Sequence, residues 1–497
     1  MTFWILVCYF SILGVLCIYG GHRLHITRLF KKNGRVKHQP ANRFQELPRI
    51  TIQLPVFNEK YVVHRIIDAT IAINYPKDRL QIQVLDDSTD ETVELSRERV
   101  EHYRELGHDI VHIHRTDRTG YKAGALEHGM ESATGQFIAI FDADFIPDPE
   151  ILHKTIHYFT DEQVGMVQTR WEHLNRHTST LTEVQAMMLD AHFVVEHGGR
   201  CASGLFFNFN GTAGIWRRTT IDDAGGWEHD TLTEDLDLSY RAQMKGWRFL
   251  FIQDIVCPSE LPVDMKAFKS QQHRWAKGSI EVMLKVLPRV LRSKLPLKVK
   301  VEAIFHLTGN LAYLLMIINS IFFVIPSMML RYEQPWWRVL LIDGPLFLMA
   351  SVSFVYFYLS AQSAIFKSVK GKKRFIPALM AIGIGLGVNN TRAVLEALFR
   401  HKTAFIRTPK SGDGHGVARK KSYRLPASGW GYLEIALGFL YTCAIIGAIY
   451  LGNWGSIPFL VLFQNGFYFI GWLTILDEKK GQNRNDQTLN EEDLEPA

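Results

Sequence analysis

Cysteine is scarce in this chain, five in 497 residues, and Cys8, Cys17, Cys201, Cys257 and Cys443 stand too far apart for a zinc knuckle or a redox pair. Such usage fits a reducing compartment. Two nucleotide-binding signatures are also missing. No Gly-x-x-x-x-Gly-Lys-Ser/Thr occurs, which excludes a phosphate loop, and the apolar run ITIQLPVF opens into NEKY without Gly-x-Gly-x-x-Gly, which leaves dinucleotide binding of the Rossmann type unsupported. Charge is absent from four stretches, 3–20, 303–330, 344–366 and 435–476. Each is near or above the length that crosses hydrocarbon as a helix, whereas a helix in a water-soluble core needs only one apolar face.

What surrounds those stretches sets an expected topology. Basic residues, Arg23, Arg28, Lys31, Lys32, Arg35 and Lys37, follow the first run instead of preceding it. This reads as a signal anchor with the rest of the chain inside, not as a cleaved leader. Residues 303–330 then cross outward and about 340–366 cross back, with Trp336 and Trp337 at the interface; the basic KSVKGKKR (Lys367–Arg374) lies inside. The Gly-rich segment 375–391, followed by Arg392 and Glu396, reads as an interfacial helix. Gly452, Asn453, Gly455 and Pro458 split 435–476 into two helices. Five crossings result, in an integral protein of the plasma (inner) membrane with its catalytic part cytoplasmic. The acidic tail from Asp477 reads as disordered.

Residues 50–255 have another rhythm. Ile52–Phe57, Ile82–Leu85, Ile110–His114 and Phe137–Phe141 read as strands, and stretches near 61–73, 91–106 and 121–133 as helices between them. This is the pattern of βαβ units in an α/β domain with a mostly parallel sheet. The expected organisation is a transmembrane helix over 1–21, a catalytic domain over 22–260 and amphipathic interface helices over 261–300. Two transmembrane helices over 301–366 follow, then a basic interfacial helix and loop over 367–431, two more spans over 432–476 and the tail, 477–497. The net charge of +6 suits an anionic membrane surface or an anionic nucleotide. Nothing else in the chain points to nucleic acid.

Three acidic clusters carry the chemistry. Asp86-Asp87 follows the second strand, Asp142-Ala143-Asp144 follows the fourth, and Glu234-Asp235 opens a helical pattern. Ligands of an α/β sheet bind beyond the carboxyl ends of its strands, so the first two point at one crevice. If extended, Asp142 and Asp144 share a side, where two carboxylates can hold Mg²⁺ or Mn²⁺ and bridge it to phosphate oxygens. Asp86 or Asp87 can accept hydrogen bonds from a base or ribose; a helix cap is the plainer alternative. Lys122 in RTGYKAGAL can meet the diphosphate. Asp235 is the candidate general base toward an acceptor hydroxyl, and Thr233 the candidate cap of its helix. Gln271, Arg274 and Trp275 recur at i, i+3 and i+4 on one helix face, where Arg can grip phosphate and Trp can stack a sugar.

In this order, DDS, DAD, TED and QQHRW resemble the processive family 2 glycosyltransferases, the group of cellulose, mannan, chitin and hyaluronan synthases. The resemblance covers roughly 48–290. The wording of DDSTD, GYKAGAL, FDADF, FNGTAG, AGGW, ELP and QQHRW is most similar to the plant glucomannan synthases of the cellulose-synthase-like A type. It implies a cytoplasmic GT-A fold inserted between transmembrane helices, and an inverting, metal-dependent transfer of a hexose from GDP-mannose or UDP-glucose. The acceptor is the non-reducing end of a β-1,4-linked mannan, glucomannan or glucan, with translocation across the membrane. By that likeness Asp87, Asp86, Lys122, Asp142 and Arg274 bind the donor, and Asp144 with Asp142 the metal. Trp275, Gln271, Asn210, Gly211 and Glu234 then contact the acceptor. Phe405, Thr408 and Lys410 resemble a gating loop that brings Lys410 over the diphosphate. Cellulose synthases carry a cysteine where this chain has Asn208–Gly214 (NFNGTAG), so the acceptor contacts differ. Two rival readings remain: a single-transfer enzyme making a glycolipid from UDP-glucose, and a nucleotide-binding transporter or channel.

Overall fold

The computed structural model describes residues 2–34, 38–401 and 429–492, with side chains placed as far as Lys479. Seven strands form one sheet: β1 (Ile50–Val56), β2 (Leu80–Asp86), β3 (Asp109–His114), β4 (Phe137–Ile140), β5 (Val164–His173), β6 (Gly214–Arg217) and β7 (Arg248–Ser259). Their order is β3-β2-β1-β4-β6-β5-β7. The half from β3 to β4 is parallel, β6 runs antiparallel to both β4 and β5, and β7 is parallel to β5. Polar side chains fix the register of the parallel half. Thr51 Oγ1 donates to Gln81 Oε1 at 2.8 Å and Gln53 Nε2 to Gln83 Oε1 at 3.0 Å, each pairing residues opposite one another on β1 and β2. A one-residue slip would orphan these buried groups. The helix Val63–Ile71 shows how the crossovers pack: Val63, Ile66, Ile67 and Thr70 recur at helical spacing and are buried.

The expected strands and helices in this region all form, with one correction that matters. β4 ends at Ile140, and Asp142–Asp144 leave the sheet in a turn instead of continuing extended. Strand alternation therefore does not place the two carboxylates on one side. The turn does, with Phe145 N–H closing it onto the carbonyl of Asp142 at 3.0 Å.

Outside the sheet, six helices among the described residues are long and apolar enough to cross a membrane: Phe3–Asn33, Leu311–Leu330, Trp336–Ile365, Lys370–Leu398, Trp430–Tyr450 and Trp454–Lys479. Five of these coincide with the expected crossings. The sixth, Lys370–Leu398, covers the segment expected to lie at the interface; it is 61% buried over its most apolar window against 33% or less for the others, and its two ends meet Glu183 through Lys372 and the carbonyl of Lys269 through Asn389. Its glycines are there for contact: a Cβ on Gly385 would lie 2.2 Å from Ile470 Cγ1, and one on Gly387 2.7 Å from Met316. Near its end Arg392 and Glu396 pair with each other at 2.7 Å, and Glu396 reaches His273, on the helix Met265–Arg292, at 3.1 Å.

Three boundaries also move. The stretch expected to cross from residue 303 is broken at Gly309–Asn310, between the helices Leu297–Thr308 and Leu311–Ile318. The first helix runs through its basic flank to Asn33. The tail from Asp477 is helical to Glu492; its Glu, Lys, Gln and Arg are good helix formers, and Asp477 Oδ2 accepts the N–H of Met265 at 2.7 Å. The predicted split of 435–476 falls where expected, between Tyr450 and Ile457. One long helix, Met265–Arg292, ties the sheet domain to the bundle. Asp264 caps it through Ala267 N–H, and Lys269 makes a buried 2.6 Å ion pair with Glu434.

Candidate active site

The carboxyl ends of β1, β2 and β4, the turn after β6's approach segment and the helix Met265–Arg292 enclose one cleft. Its lining includes Asp87, Lys122, Asp142, Asp144, Asn210, Gly211, Glu234, Asp235, Gln271, Arg274 and Trp275. Every sequence-predicted site residue that is described lies there except Asp86. That residue is fully buried beneath the cleft, accepting from Ser88 N–H and facing His112 Nε2, each at 2.8 Å. Burial acts to raise its pKa, yet these hydrogen bonds hold it below the ordinary value, so it is a fixed anion that braces the loop after β2. A donor-binding role for Asp86 is therefore set aside. Lys410, with Phe405 and Thr408, lies outside the described residues.

Asp87 sits at the cleft edge, held bidentately by Arg115 at 2.8 and 2.6 Å. Lys122 rises from the first turn of its helix, Tyr121–Ser132, and donates to Asp142 Oδ1 at 2.5 Å and to the carbonyl of Gly211 at 2.8 Å. Burial opposes its charge, but Asp142 and Glu234 raise its pKa, and it remains an ammonium. Arg274 faces the charges of Glu234, Asp142 and Asp235. Lys122 and Arg274 thus share the cleft with Asp142, Asp144, Glu234 and Asp235, an arrangement suited to an anionic group bridged by a further cation.

Asp142 and Asp144 offer hard oxygen ligands, and no sulfur or imidazole intrudes among the described residues that line the cleft. This donor set fits Mg²⁺ or Mn²⁺ with the remaining positions filled by a diphosphate and water. Three other acidic groups, Glu228, Asp230 and Asp237, bring ligand atoms within 4.8 Å of one another. The ammonium of Lys285 already occupies that cluster, at 2.5, 2.6 and 3.1 Å from the three carboxylates, and it lies outside the cleft.

Glu234 and Asp235 begin the helix Glu234–Met244. Thr233 stands at the cap position, but its hydroxyl makes no capping bond; instead its side chain fits against Gly278, where a Cβ would lie 2.6 Å from Thr233 Cγ2. Gly278 therefore lets the helix carrying Gln271, Arg274 and Trp275 close onto the Thr-Glu-Asp segment. Gly211, at φ +78°, is needed on the other side: a Cβ there would come within 3.2 Å of Asp235 Oδ2 and 3.3 Å of Lys122 Nζ. Burial first, and the charge of Glu234 second, push Asp235 up from the carboxylate range to about 7; Leu236 N–H and Lys122 act the other way. A base near neutrality is well matched to taking a hydroxyl proton.

Several lining residues carried no sequence signal strong enough to single them out. Arg118 stacks 3.3 Å over the Phe57 ring, and Glu260 pairs with Arg65 at 2.6 Å beside the cleft. Arg118 stands four residues before Lys122, in the loop that leads into its helix, and that neighbourhood is the available clue. A second cavity adjoins the cleft and shares Trp171, Asn210, Asp235, Gln271 and Trp275 with it; a third shares Tyr19, Arg23, Met188 and Tyr358 with the second and lies between the apolar helices.

Residues 48–278 match the family described as "Glycosyltransferase like family 2". The chain is 42% identical over 268 residues to glucomannan 4-beta-mannosyltransferase 1 of Oryza sativa subsp. japonica, covering 53% of this chain and 51% of that protein. It is 36% identical over 352 residues to glucomannan 4-beta-mannosyltransferase 9 of Arabidopsis thaliana, covering 67% and 66%. The chain thus spans between about half and two thirds of the length of these relatives. Among solved structures, a mannosyltransferase from Pyrobaculum calidifontis, in complex with GDP-Man and Mn²⁺, superposes with a TM-score of 0.56 at 19% identity, over 80% of this chain and 100% of that one. That likeness supports the fold. The aspartate cleft, the mixed sheet and these matches together place the chain in the family 2 glycosyltransferases, related to the plant glucomannan mannosyltransferases.

Proposed function

We propose that the protein is a membrane-embedded polysaccharide synthase. It transfers a hexose, with inversion, from GDP-mannose or UDP-glucose to the non-reducing end of a β-1,4-linked mannan, glucomannan or glucan. The observation that carries this reading is the position of Asp235. It lines both the cleft holding Lys122, Asp142, Asp144 and Arg274 and the second cavity that leads toward the apolar helices. Donor and acceptor therefore have separate rooms that meet at one base.

In this scheme Lys122 and Arg274 bind the donor's diphosphate, and Asp87 takes hydrogen bonds from the nucleoside. Asp142 and Asp144 hold Mg²⁺ or Mn²⁺, which when bound offsets negative charge on the departing diphosphate. Trp275, Gln271 and Asn210 orient the acceptor sugar, and Gly211 and Glu234 shape its approach. Asp235 accepts the proton of the acceptor hydroxyl while its oxygen bonds to the anomeric carbon. The bond from that carbon to the diphosphate breaks, and the nucleoside diphosphate leaves. One carboxylate and attack from the opposite face give inversion; a hydrolase would require a second carboxyl group to protonate the leaving oxygen. The product then passes along the second and third cavities. We place the catalytic domain on the cytoplasmic side, where nucleotide sugars are made.

The test is incubation of the purified, lipid-reconstituted protein with labelled GDP-mannose or UDP-glucose and either metal, followed by gel fractionation and linkage analysis. The reading expects a ladder or insoluble β-1,4-linked polymer. A single labelled lipid would instead identify a glycolipid-forming enzyme.

A further inference from the structure

The second cavity has a wall that the transfer chemistry does not use. It is built by a π-helical turn, Ala191–His197, set in an otherwise α-helical stretch, and by residues of the first helix and of Leu297–Thr308. Such turns re-aim side chains and are frequent at binding sites. Here a directional hydrogen-bond chain results. His197 Nε2 lies 2.6 Å from Asn210 Oδ1, and Asn210 Nδ2 lies 2.8 Å from His192 Nε2. With the amide so oriented, His192 accepts at Nε2 and carries its proton on Nδ1, which donates to Glu196 Oε2 at 2.9 Å. Arg200 stands 3.4 Å from the same carboxylate and donates from Nε to Glu302 Oε1 at 2.9 Å; the other oxygen of Glu302 meets His22. His22 in turn lies flat on Phe305, with ring centroids 4.1 Å apart at 8°.

Two members open onto the cavity. The side chains of His192 and Glu196 are 28% and 30% exposed, against 3% for Arg200, and Glu196 Oε1 has no hydrogen-bond partner among the described residues. Fixed carboxylate, imidazole and amide groups beside flat ring surfaces match a pyranose, which presents hydroxyls that both donate and accept and an apolar face that stacks. An acyl chain would have to desolvate the same groups without replacing their hydrogen bonds. The carboxylates of Glu196 and Glu302 also disfavour an acidic sugar.

We infer that this wall is a binding subsite for the second sugar of the acceptor, a neutral hexose, with Glu196 and His192 as its specificity-determining contacts. The inference rests on the polysaccharide reading above. It means that the enzyme recognises an acceptor by at least two sugars: the terminal one beside Trp275 and Asp235, and the next one against Glu196 and His192.

The test uses the full chain in lipid with β-1,4-linked manno- or gluco-oligosaccharides of increasing length as acceptors. A hydrogen bond to a charged group is worth roughly ten- to hundred-fold in binding. In the wild type, kcat/KM for acceptor should rise by about that factor from monosaccharide to disaccharide. Glu196→Gln and His192→Leu should each cut the gain to about threefold or less. Donor affinity measured by calorimetry reports that each variant is folded and should match the wild type. Equal kcat/KM for the mono- and disaccharide in the wild type would overturn the inference without any variant. So would an unchanged length dependence in both variants. If no saccharide accepts and a lone lipid-linked hexose forms, the polysaccharide reading itself has failed; a polymer made without length dependence fails the subsite alone.

Discussion

Replacing Asp235 by Asn isolates the group on which the chemistry turns. The change keeps the side chain's shape beside Gly211 and the N–H of Leu236, but removes the ability to take a proton. General-base catalysis contributes about 10²–10⁴-fold, so transfer should fall by that factor, equivalent to about 3–5 kcal/mol of barrier. Donor binding should persist, because Lys122, Arg274, Asp142 and Asp144 are untouched and one negative charge near the diphosphate is lost. Stability gives an independent reading. Moving a carboxyl from 3.8 to about 7 makes its ionised form in the folded protein costly, by about 4 kcal/mol if fully realised. Exposure to the cleft reduces this to about 2–4 kcal/mol. The sign follows from the raised pKa: the stability associated with the protonated acid is full below its unfolded value and is lost as pH rises through about 7. Asn cannot ionise, so the variant should equal the wild type near pH 4 and exceed it at pH 8 in thermal unfolding. Transfer at near wild-type rate, or a variant unable to bind donor, would refute this account of Asp235.

Four further outcomes follow from the same geometry. In the wild type, kcat/KM should rise as pH passes through about 7, since Asp235 must be ionised to act; a profile flat from pH 5.5 to 8.5 would contradict that. Asp144→Asn should weaken metal-dependent donor binding by at least about tenfold in calorimetry with Mn²⁺, and unchanged metal dependence would remove Asp144 from the metal site. Gly211→Ala places a methyl 3.2 Å from Asp235 Oδ2 at a positive φ, so about 1–2 kcal/mol of backbone strain should accompany a large loss of transfer. Lys269→Ala leaves Glu434 buried without its cation and should cost about 3–5 kcal/mol, read as a lowered unfolding temperature, whereas the double change Lys269→Met with Glu434→Leu should recover most of it.

Much of this arrangement was legible in the residues. The alternation of short apolar runs with amphipathic segments reported β1 to β4 because each helix must cover the sheet, and the acidic pairs marked the strand ends because ligands gather there. Helical spacing foretold that Gln271, Arg274 and Trp275 would share the cleft. Asp86 and Asp87 could not be separated by sequence, since adjacent residues at a strand end face opposite ways; the distinction comes from His112, on the neighbouring strand. The glycines of Lys370–Leu398 show in the sequence only as weak hydrophobicity; their role, close packing against Ile470 and Met316, depends on segments far away in the chain. The turn that carries Asp142 and Asp144 depends on where β4 stops. That is decided by its neighbours: β4 pairs with Ile50–Gln53 of β1 on one side and Gly214–Arg217 of β6 on the other, and the chain leaves the sheet beyond. The wall formed by His22, His192, Glu196 and Arg200 joins segments far apart in the chain, and no local pattern announces it.

The most direct measurement is a structure of the protein with Mn²⁺ and GDP-mannose, or with the UDP-glucose counterpart. The account predicts the ion on Asp142 and Asp144, the diphosphate against Lys122 and Arg274, and the anomeric carbon turned toward Asp235. A nucleotide sugar bound away from this cleft, or an ion seated on Glu228, Asp230 and Asp237 in place of Lys285, would contradict it.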